Sequence, residues 1–354
     1  MSSQTSRRKY SHVDICLRKK VEARSKSPGF EDVDFVHQAV QEIDFNKITI
    51  ACKLFGKKLS APIIIESITG GYEGASKINY ALAESAEKEG VALALGSQRA
   101  MLENSKLAST YSVRKHAPTI PIFGNIGLAQ INAYTFKEIE SAISKIEADA
   151  LVVHLNGLQE ICQKEGDRDF SGLLKQLENA CSKLGCPIIA KETGAGISME
   201  TAAKLEKAGV AMIDVAGAGG TSWCAVELYR GSGEAVLWDW GIPTTQSVIE
   251  CAKKTKVPII ASGGVRSGLD VAKSLAIGAS FSGAALPFLK KMNSGGIRGL
   301  RSELAKWKHE LKMTLFLCGA KDLKTLSKIP VVITGKTAET LRARGIDPKE
   351  FGVR

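Results

Sequence analysis

Several features that would identify other classes of protein are missing from this sequence. Its eight cysteines occur singly and form no C-x-x-C pair, which excludes the usual spacing of a zinc site or a redox dithiol. No apolar run approaches the ~20 residues of a membrane-spanning helix, and no apolar segment follows the charged amino terminus. We therefore expect free thiols and a cytoplasmic protein without a membrane partner.

Aromatic residues are also scarce, at 6% of the chain, and this bears on the net charge of +11. Lys and Arg can neutralise nucleic-acid phosphates. Here the basic residues are spread over the predicted helices and only six tyrosines accompany them, so neither a basic stripe nor a stacking platform is formed. We expect no nucleic-acid partner and assign the charge to solvated helix faces and to attraction of a small anionic substrate.

What the sequence does contain is a regular series of short apolar runs bounded by Gly, Pro or polar residues. Eight occur, at residues 62–66, 91–96, 120–125, 150–156, 187–192, 211–216, 258–263 and 280–286. Runs that are apolar throughout are typical of parallel strands buried on both faces. The gaps can each hold a helix, and four of them predict helices directly, at 77–89, 136–147, 198–208 and 267–278.

This pattern predicts a (β/α)8 TIM barrel with an N-terminal extension and a C-terminal helical tail. The alternative, an open doubly wound sheet, usually carries a glycine-rich dinucleotide loop after its first strand, and Thr69-Gly70-Gly71 lacks that spacing. We expect the extension over residues 1–60, the barrel over 61–318 and the tail over 319–354. A long amphipathic helix over 300–318 would be the eighth barrel helix.

Two glycine-containing loops follow the seventh and eighth predicted strands. They read Gly263-Gly264-Val265-Arg266 and Gly283-Ala284-Ala285. Bare glycines let backbone N–H groups approach an anion, and a following helix adds its dipole. Because barrels bind phosphate at these two loops, the sequence predicts a site for an organic phosphate.

Polar side chains also end the fourth and fifth predicted strands, where barrels build their active sites. His154, Asn156, Gln159 and Glu160 are too costly to bury together without a ligand. Glu160 could act as a general base or hold Mg²⁺ beside a substrate phosphate. Lys191 could form a Schiff base, neutralise a phosphate or lie beside an electron-rich ring. The residues alone leave these alternatives open.

Together the motifs resemble the type 2 isopentenyl-diphosphate delta-isomerases, the FMN-dependent barrel enzymes that interconvert isopentenyl and dimethylallyl diphosphate. The resemblance spans most of the chain and includes Trp240-Gly241-Ile242-Pro243-Thr244 and the two phosphate loops. Its other motifs are Arg8-Lys9-x-x-His12, Thr69-Gly70-Gly71, Gly96-Ser97-Gln98-Arg99-Ala100, His154-x-Asn156-x-x-Gln159-Glu160, Lys191-Glu192-x-Gly194-x-Gly196 and Asp214-Val215-x-Gly217-Ala218-Gly219-Gly220-Thr221-Ser222-Trp223.

The resemblance implies where the ligands bind. FMN would contact Ser67, Ile68, Thr69, Ser97, Asn125, Lys191 and Thr221, with its phosphate on Gly264, Val265, Arg266, Ala284 and Ala285. The diphosphate would contact Arg8, Lys9, Ser97, Gln98, Arg99 and Gln159, with Mg²⁺ on Glu160. The amino-terminal segment, which composition alone would describe as a frayed basic terminus, then becomes a lid over the substrate.

The resemblance also implies a reaction in which a double bond moves with no net redox change, although the flavin must be reduced. Reduced FMN would act as acid and base or stabilise a developing cation, and NADPH would be its reductant. Lys191 would hold the anionic flavin, while His154, Asn156 and Gln159 would position the isoprenoid end and carry catalysis. A tetrameric or octameric homo-oligomer is expected by the same resemblance.

Two residues depart from the family pattern, and two other functions compete with it. Ile68 replaces a usual methionine and Ala216 a usual serine, which puts single flavin contacts in question. One rival is another FMN barrel enzyme. A 2-hydroxy-acid oxidase would need Arg-x-x-His, which Arg266 does not begin, and an inosinate dehydrogenase-like protein would rely on Cys224 as its nucleophile. The other rival is a non-catalytic flavin- or phosphate-binding protein, which would not need Glu160 or Lys191.

Overall fold

Eight parallel strands close into a barrel in the computed structural model, which describes residues 4–354. The strands in these residues are β1 Val33–Phe35, β2 Cys52–Leu54, β3 Lys57–Leu59, β4 Ile63–Ile65, β5 Ala92–Ala94, β6 Ile122–Gly127, β7 Ala150–Leu155, β8 Ile188–Glu192, β9 Met212–Asp214, β10 Ile259–Ala261, β11 Phe281–Ala284 and β12 Val331–Ile333. Strands β4 to β11 follow one another around the barrel in chain order, and β11 pairs with β4 to close it. The predicted (β/α)8 barrel is confirmed.

Helices follow the barrel strands and pack on their outer side. The helices of the described residues are α1 Gln4–Arg18, α2 Ala75–Glu89, α3 Arg99–Glu103, α4 Leu128–Ile131, α5 Phe136–Lys145, α6 Gly157–Cys162, α7 Leu173–Lys183, α8 Met199–Lys207, α9 Trp223–Tyr229, α10 Thr244–Lys254, α11 Gly268–Ala276, α12 Leu286–Leu317, α13 Leu323–Leu326 and α14 Gly335–Ala343. Among residues 4–354, no helix combines the length and the apolar character needed to cross a bilayer.

Local sequence explains where several helices begin and end. Thr135 and Glu138 form a reciprocal capping box at the start of α5, and Ser198 and Ser267 cap α8 and α11 with their hydroxyl groups. Such caps satisfy backbone N–H groups that have no partner inside the helix. At its other end, α2 stops at Gly90, whose left-handed conformation terminates the helix.

The barrel interior is filled by side chains and closed at its amino-terminal end by a hairpin. Inward-facing residues such as Ile64, Phe123 and Ile260 form one apolar cluster with Leu54 and Leu59 of the β2–β3 hairpin. Phe55, at the hairpin turn, packs edge-on against Phe123 with ring centroids 5.8 Å apart. The apolar interior and this hairpin leave the opposite, carboxyl-terminal end of the barrel for ligands.

The two terminal regions meet outside the barrel. Strand β1 pairs antiparallel with β12, so residues of the first 60 are joined to the tail. Two predicted boundaries are wrong: the end of the strand over 280–286 and the start of the helix over 300–318. The strand ends at Ala284 and the helix already begins at Leu286, with a non-helical residue inside it at Gly296 (φ 58°, ψ −155°). Apolar character cannot separate the end of a buried strand from the start of a buried helix, because both are hidden from water.

Candidate active site

A cavity of about 240 Å³ lies at the carboxyl-terminal ends of the barrel strands, with α1 along one side. One part of its wall is cationic and includes Arg8, Lys9 and Arg99. Another part is apolar and includes Trp223 and Leu289, among other side chains. A chamber of this kind suits a ligand with an anionic end and a hydrocarbon end.

The side chains on the floor of the cavity can be identified from the alternation of side chains along the strands. Ile64, Phe123, Val152, Ile189, Met212 and Ile260 point into the barrel core. Successive side chains of a strand face opposite ways, so the residue two positions later also faces inward, one layer nearer the mouth. That layer consists of Glu66, Asn125, His154, Lys191, Asp214 and Ser262. The polar residues at the strand ends therefore form one ring.

Lys191 is the cation of this ring and has two carboxylate neighbours. Its Nζ lies 2.7 Å from Asp214 Oδ2 and 3.3 Å from Glu66 Oε2, and it donates a hydrogen bond of 3.0 Å to Ser262 Oγ. Burial acts to lower the pKa of Lys191, but its interactions with Asp214 and, after it, Glu66 outweigh burial and raise that pKa. Lys191 is thus held as an ammonium, which excludes the free amine that a Schiff base requires.

Burial raises the pKa of Glu66, whereas it acts to lower the pKa of Lys191. Burial and the neighbouring Asp214 raise the pKa of the Glu66 carboxyl to about 8, against the opposing charge of Lys191. Its Oε1 is buried and has no hydrogen-bond partner in the described part of the chain.

His154 is held neutral on the other side of the ring. Its Nδ1 lies 2.8 Å from Asn125 Oδ1, an oxygen that can only accept, so Nδ1 carries the hydrogen and Nε2 is left as an acceptor. Asn125 Nδ2 in turn donates to Ser67 Oγ at 2.9 Å. Burial, followed by the charge of Lys9, lowers the pKa of His154 to about 3. His154 can therefore orient a ligand or accept a hydrogen bond, but it is not a cation at neutral pH.

Helix α6 brings three predicted residues together. Asn156 Nδ2 donates to Glu160 Oε1 at 2.9 Å and to Gln159 Oε1 at 3.4 Å. The remaining oxygen of Glu160 accepts from the backbone N–H of Asp167 at 2.8 Å. Asn156 Oδ1 is buried and has no partner within residues 4–354. A buried amide oxygen without a donor is costly, so this atom marks a place for a donor group of a ligand or for a cation.

The two predicted phosphate loops form a cradle of backbone. Gly263 and Gly264 adopt φ angles of 96° and 76°, which favour glycine, and a Cβ at Gly220 would lie 2.5 Å from the nitrogen of Gly264. Helix α12 begins beside the cavity, and Ala285 before it gives no side-chain cap. Because Pro287 has no N–H, the first-turn donors open to an anion are those of Leu286 and Phe288, and these features fit the phosphate of FMN.

Helix α1 is tied to the rim through three side chains. Ser6 Oγ donates to Gly71 O at 2.6 Å, and Lys9 Nζ contacts Ser97 O and donates to the Tyr111 hydroxyl at 3.0 Å. His12 Nε2 lies 3.0 Å from Glu227 Oε1. Burial, followed by the charge of Arg8, lowers the pKa of Lys9 to about 7. A lysine poised in this way gains its full charge when a phosphate binds.

Most of the predicted site residues line the cavity. Those at its surface are Arg8, Lys9, Ser67, Ile68, Thr69, Ser97, Arg99, Asn125, His154, Asn156, Gln159, Glu160, Lys191, Thr221, Gly264, Arg266, Ala284 and Ala285. Two predicted residues are not brought there. The side chain of Gln98 donates to Gly96 O and accepts from the N–H of Asn125, and Val265 is completely buried. Neither side chain is free to contact substrate or flavin.

Three buried carboxyl groups at the site were not predicted from the sequence: Glu66, Asp214 and Glu227. Glu227 accepts hydrogen bonds from Gln159 Nε2 at 3.2 Å and from His12, and it pairs with Arg230. Burial alone would raise the pKa of Glu227, but His12 and Arg230 lower it. The two-residue step from each inward apolar residue could have identified Glu66 and Asp214. Glu227 lies inside α9 and gave no comparable signal.

Comparison with protein families links the site to flavin chemistry. The family model described as FMN-dependent dehydrogenase matches residues 155–332 of this chain, a segment that contains Lys191 and both phosphate loops. Solved structures add the fold alone. A mandelate oxidase carrying an FMN adduct superposes with a TM-score of 0.65 at 15% identity, covering 94% of each chain. A lactate oxidase of Pediococcus acidilactici gives 0.69 at 16% identity, covering 93% of this chain and 90% of the oxidase.

Much more similar sequences are curated as isopentenyl-diphosphate delta-isomerases. That of Methanococcoides burtonii is 47% identical over 363 residues, covering 99% of both chains. That of Pyrococcus furiosus is 46% identical over 363 residues, covering 99% of this chain and 92% of the relative. Identity of this extent, joined to the match with the FMN-dependent family, shows that the chain belongs to the type 2, FMN-dependent isopentenyl-diphosphate delta-isomerase family.

Proposed function

We propose that the protein interconverts isopentenyl and dimethylallyl diphosphate by a 1,3-allylic proton shift in isoprenoid biosynthesis, with reduced FMN and Mg²⁺. The observation that carries this proposal is one cavity lined by both cationic and apolar side chains. The substrates have the same division, a charged diphosphate and a five-carbon hydrocarbon. The curated relatives, which carry this activity in their names, support the assignment.

The diphosphate end would be bound by Arg8, Lys9 and Arg99. The guanidinium groups of Arg8 and Arg99 are paired with acidic side chains. Arg8 lies 3.9 Å from Glu165, and Arg99 lies 2.9 Å from Glu103 and 3.7 Å from Asp167. These contacts are partly exposed and therefore weak, so a multiply charged phosphate can replace them.

The hydrocarbon end would lie against Ile68, Trp223 and Leu289, close to the polar group of α6. A proton must be added at one carbon and removed from another. Gln159 is held between Asn156 and Glu227 and can orient the reacting atoms by hydrogen bonding, and neutral His154 can accept a hydrogen bond or position the hydrocarbon. An acid or base within hydrogen-bond reach of the reacting atoms typically contributes 10²–10⁴-fold.

Reduced FMN, when bound, would supply an electron-rich ring that can exchange a proton or stabilise a developing cation. Lys191 would hold its negative charge from the floor of the cavity, since its ammonium group is kept charged by Asp214. The loop glycines and the first turn of α12 would hold the phosphate. We propose NADPH as the electron source, needed to prepare the flavin and not consumed in each turnover.

Mg²⁺ would be held by Glu160. Residues 4–354 contain no cluster of three or more His, Cys, Asp or Glu side chains arranged for a metal. One carboxylate fits a cation whose other ligands are substrate phosphate oxygens and water, which is a common arrangement for Mg²⁺. The orphan oxygen of Asn156, beside Glu160, can accept from a metal-bound water.

The proposal is tested by an anaerobic assay of the FMN-loaded protein with isopentenyl diphosphate, with the flavin either reduced by dithionite or left oxidised. Dimethylallyl diphosphate should form only with reduced flavin and Mg²⁺. The Glu160→Gln variant should need a higher Mg²⁺ concentration, whereas Glu140→Gln, on the exposed face of α5, should not. Unchanged Mg²⁺ dependence in Glu160→Gln would exclude Glu160 as the ligand.

A further inference from the structure

We infer that Glu66 is a positioning residue for the flavin charge: its carboxyl group stays protonated and shares its proton with Asp214, so that Lys191 keeps its charge available to bound FMN. The inference rests on the proposed FMN site and does not depend on the isomerase reaction. It concerns four members of the ring at the cavity floor, namely Glu66, Lys191, Asp214 and Ser262.

The arrangement of donors requires a proton on one carboxyl group. Asp214 uses both oxygens, accepting from Ser262 Oγ at 2.6 Å and from Lys191 Nζ at 2.7 Å. Glu66 has a longer 3.3 Å contact to Lys191 and a side-chain hydrogen bond with Asp214, while its Oε1 has no partner in the described chain. Glu66 is only 4% exposed. A buried ionised oxygen without a donor is costly, so the proton belongs on Glu66 and the charge on Asp214.

Within residues 4–354, Lys191 is the cation that acts on the Glu66 carboxyl group. Lys191 of β8 and Asp214 of β9 are the ionisable groups that act on it. The neighbouring strand β11 places a glycine, Gly283, against Glu66. A Cβ at Gly283 would lie 2.1 Å from Glu66 Oε1, so the absence of a side chain there makes room for this carboxyl group.

The protonation state of Glu66 sets the net charge of this cluster. With Glu66 protonated, one ammonium and one carboxylate balance to zero beneath the flavin. Ionisation of Glu66 would leave this cluster with one net negative charge and would oppose the extra negative charge of a reduced flavin. The midpoint potential of bound FMN should therefore fall as Glu66 ionises. Glu66 would thus act on the flavin through its charge, without contacting the substrate.

The test compares wild type and Glu66→Gln, a neutral group of the same shape, by spectroelectrochemical titration of bound FMN. The two potentials should agree at about pH 6, and wild type should fall below the variant at about pH 9. Glu140→Gln should follow wild type throughout. A higher potential in Glu66→Gln already at about pH 6 would mean that Glu66 is ionised. Equal potentials at every pH would mean that it does not act on the flavin.

Infrared spectroscopy of wild type gives a second measurement that does not depend on the variant folding. A protonated-carboxyl carbonyl band, shifted in ²H₂O, should titrate with a pKa of about 8. Glu192, with a pKa raised by burial to about 7, contributes a separate component that titrates at lower pH. Absence of the component at about 8 overturns the inference. A protein that passes these tests but does not isomerise substrate would refute the proposed function alone.

Discussion

At the scale of single residues, burial decides which side chains around the cavity carry charge. Lys191 keeps its ammonium because Asp214 lies against it, whereas His154 loses its proton because it is buried and because the nearby charges of Lys9 and Lys191 are positive. The same low-dielectric setting therefore favours the charged form of one base and the neutral form of another.

His154 should make the folded protein less stable as the pH falls. Its pKa is about 3 in the folded chain and 6.5 in a model peptide, so between these values the unfolded chain binds the extra proton. Stability from this source is present above about pH 6.5 and declines towards pH 3. Denaturant titrations at about pH 7 and pH 5 should show a smaller pH effect in His154→Gln than in wild type. An equal pH effect in both would place the titration elsewhere.

Gln159 should matter for turnover more than for ligand binding. Gln159→Ala removes the group held between Asn156 and Glu227, and kcat should fall by about 100-fold or more. The FMN dissociation constant and the denaturation midpoint should stay close to wild type. Gln176→Ala, on α7 away from the cavity, is the matched control. Full turnover in Gln159→Ala would remove this residue from the mechanism.

At the scale of elements, α1 brings a basic segment to the cavity, where we propose that it binds substrate. Lys9 lines the cavity, and a charge-assisted contact with phosphate is worth ~1.5–3 kcal/mol. Lys9→Ala should therefore raise KM for isopentenyl diphosphate by about tenfold or more, with little change in FMN affinity. Lys20→Ala removes the same charge from an exposed position just beyond the helix. Equal effects of the two variants would show that only net charge matters.

The hairpin that closes the barrel should serve stability alone. Leu59 is 2% exposed and packs in the barrel-interior cluster, at the end opposite to the ligands. Leu59→Ala should lower the free energy of unfolding by about 2–5 kcal/mol and leave the FMN dissociation constant unchanged. The exposed neighbour Lys58 provides the control as Lys58→Ala. A large loss of FMN affinity in Leu59→Ala would show that the two ends of the barrel are coupled.

The sequence predicted the presence of the barrel strands better than it predicted their ends. Continuous apolar runs predicted all eight barrel strands, because strands buried on both faces need apolar residues throughout. Their ends were less accurate, as at Leu286, since strand ends depend on hydrogen bonding with neighbours. Lys191 and His154 were recognised as strand-end residues, but the Glu66 and Asp214 contacts to Lys191 depend on inward orientation around a closed ring. The internal hydrogen bonds of Gln98 depend on tertiary structure in the same way.

At the scale of the whole molecule, the two ends of the barrel differ in polarity. The amino-terminal end is apolar and closed, and the carboxyl-terminal end collects the ring carboxyls, the phosphate cradle and the cationic helix α1. This division lets the protein place buried charges where a ligand can use them while the core below stays apolar. The same architecture in oxidases of 15–16% identity shows that the barrel alone does not determine the reaction.

The central claim is that reduced flavin serves an isomerisation with no net redox change. Its most direct test is to incubate the reduced, FMN-loaded protein with Mg²⁺ and isopentenyl diphosphate in ²H₂O without oxygen, and to follow product by NMR and flavin by absorbance. We predict many turnovers to dimethylallyl diphosphate that carries solvent deuterium, while the flavin stays reduced. Flavin reoxidation in step with substrate loss, or no product from a protein with fully reduced bound FMN, would contradict the claim.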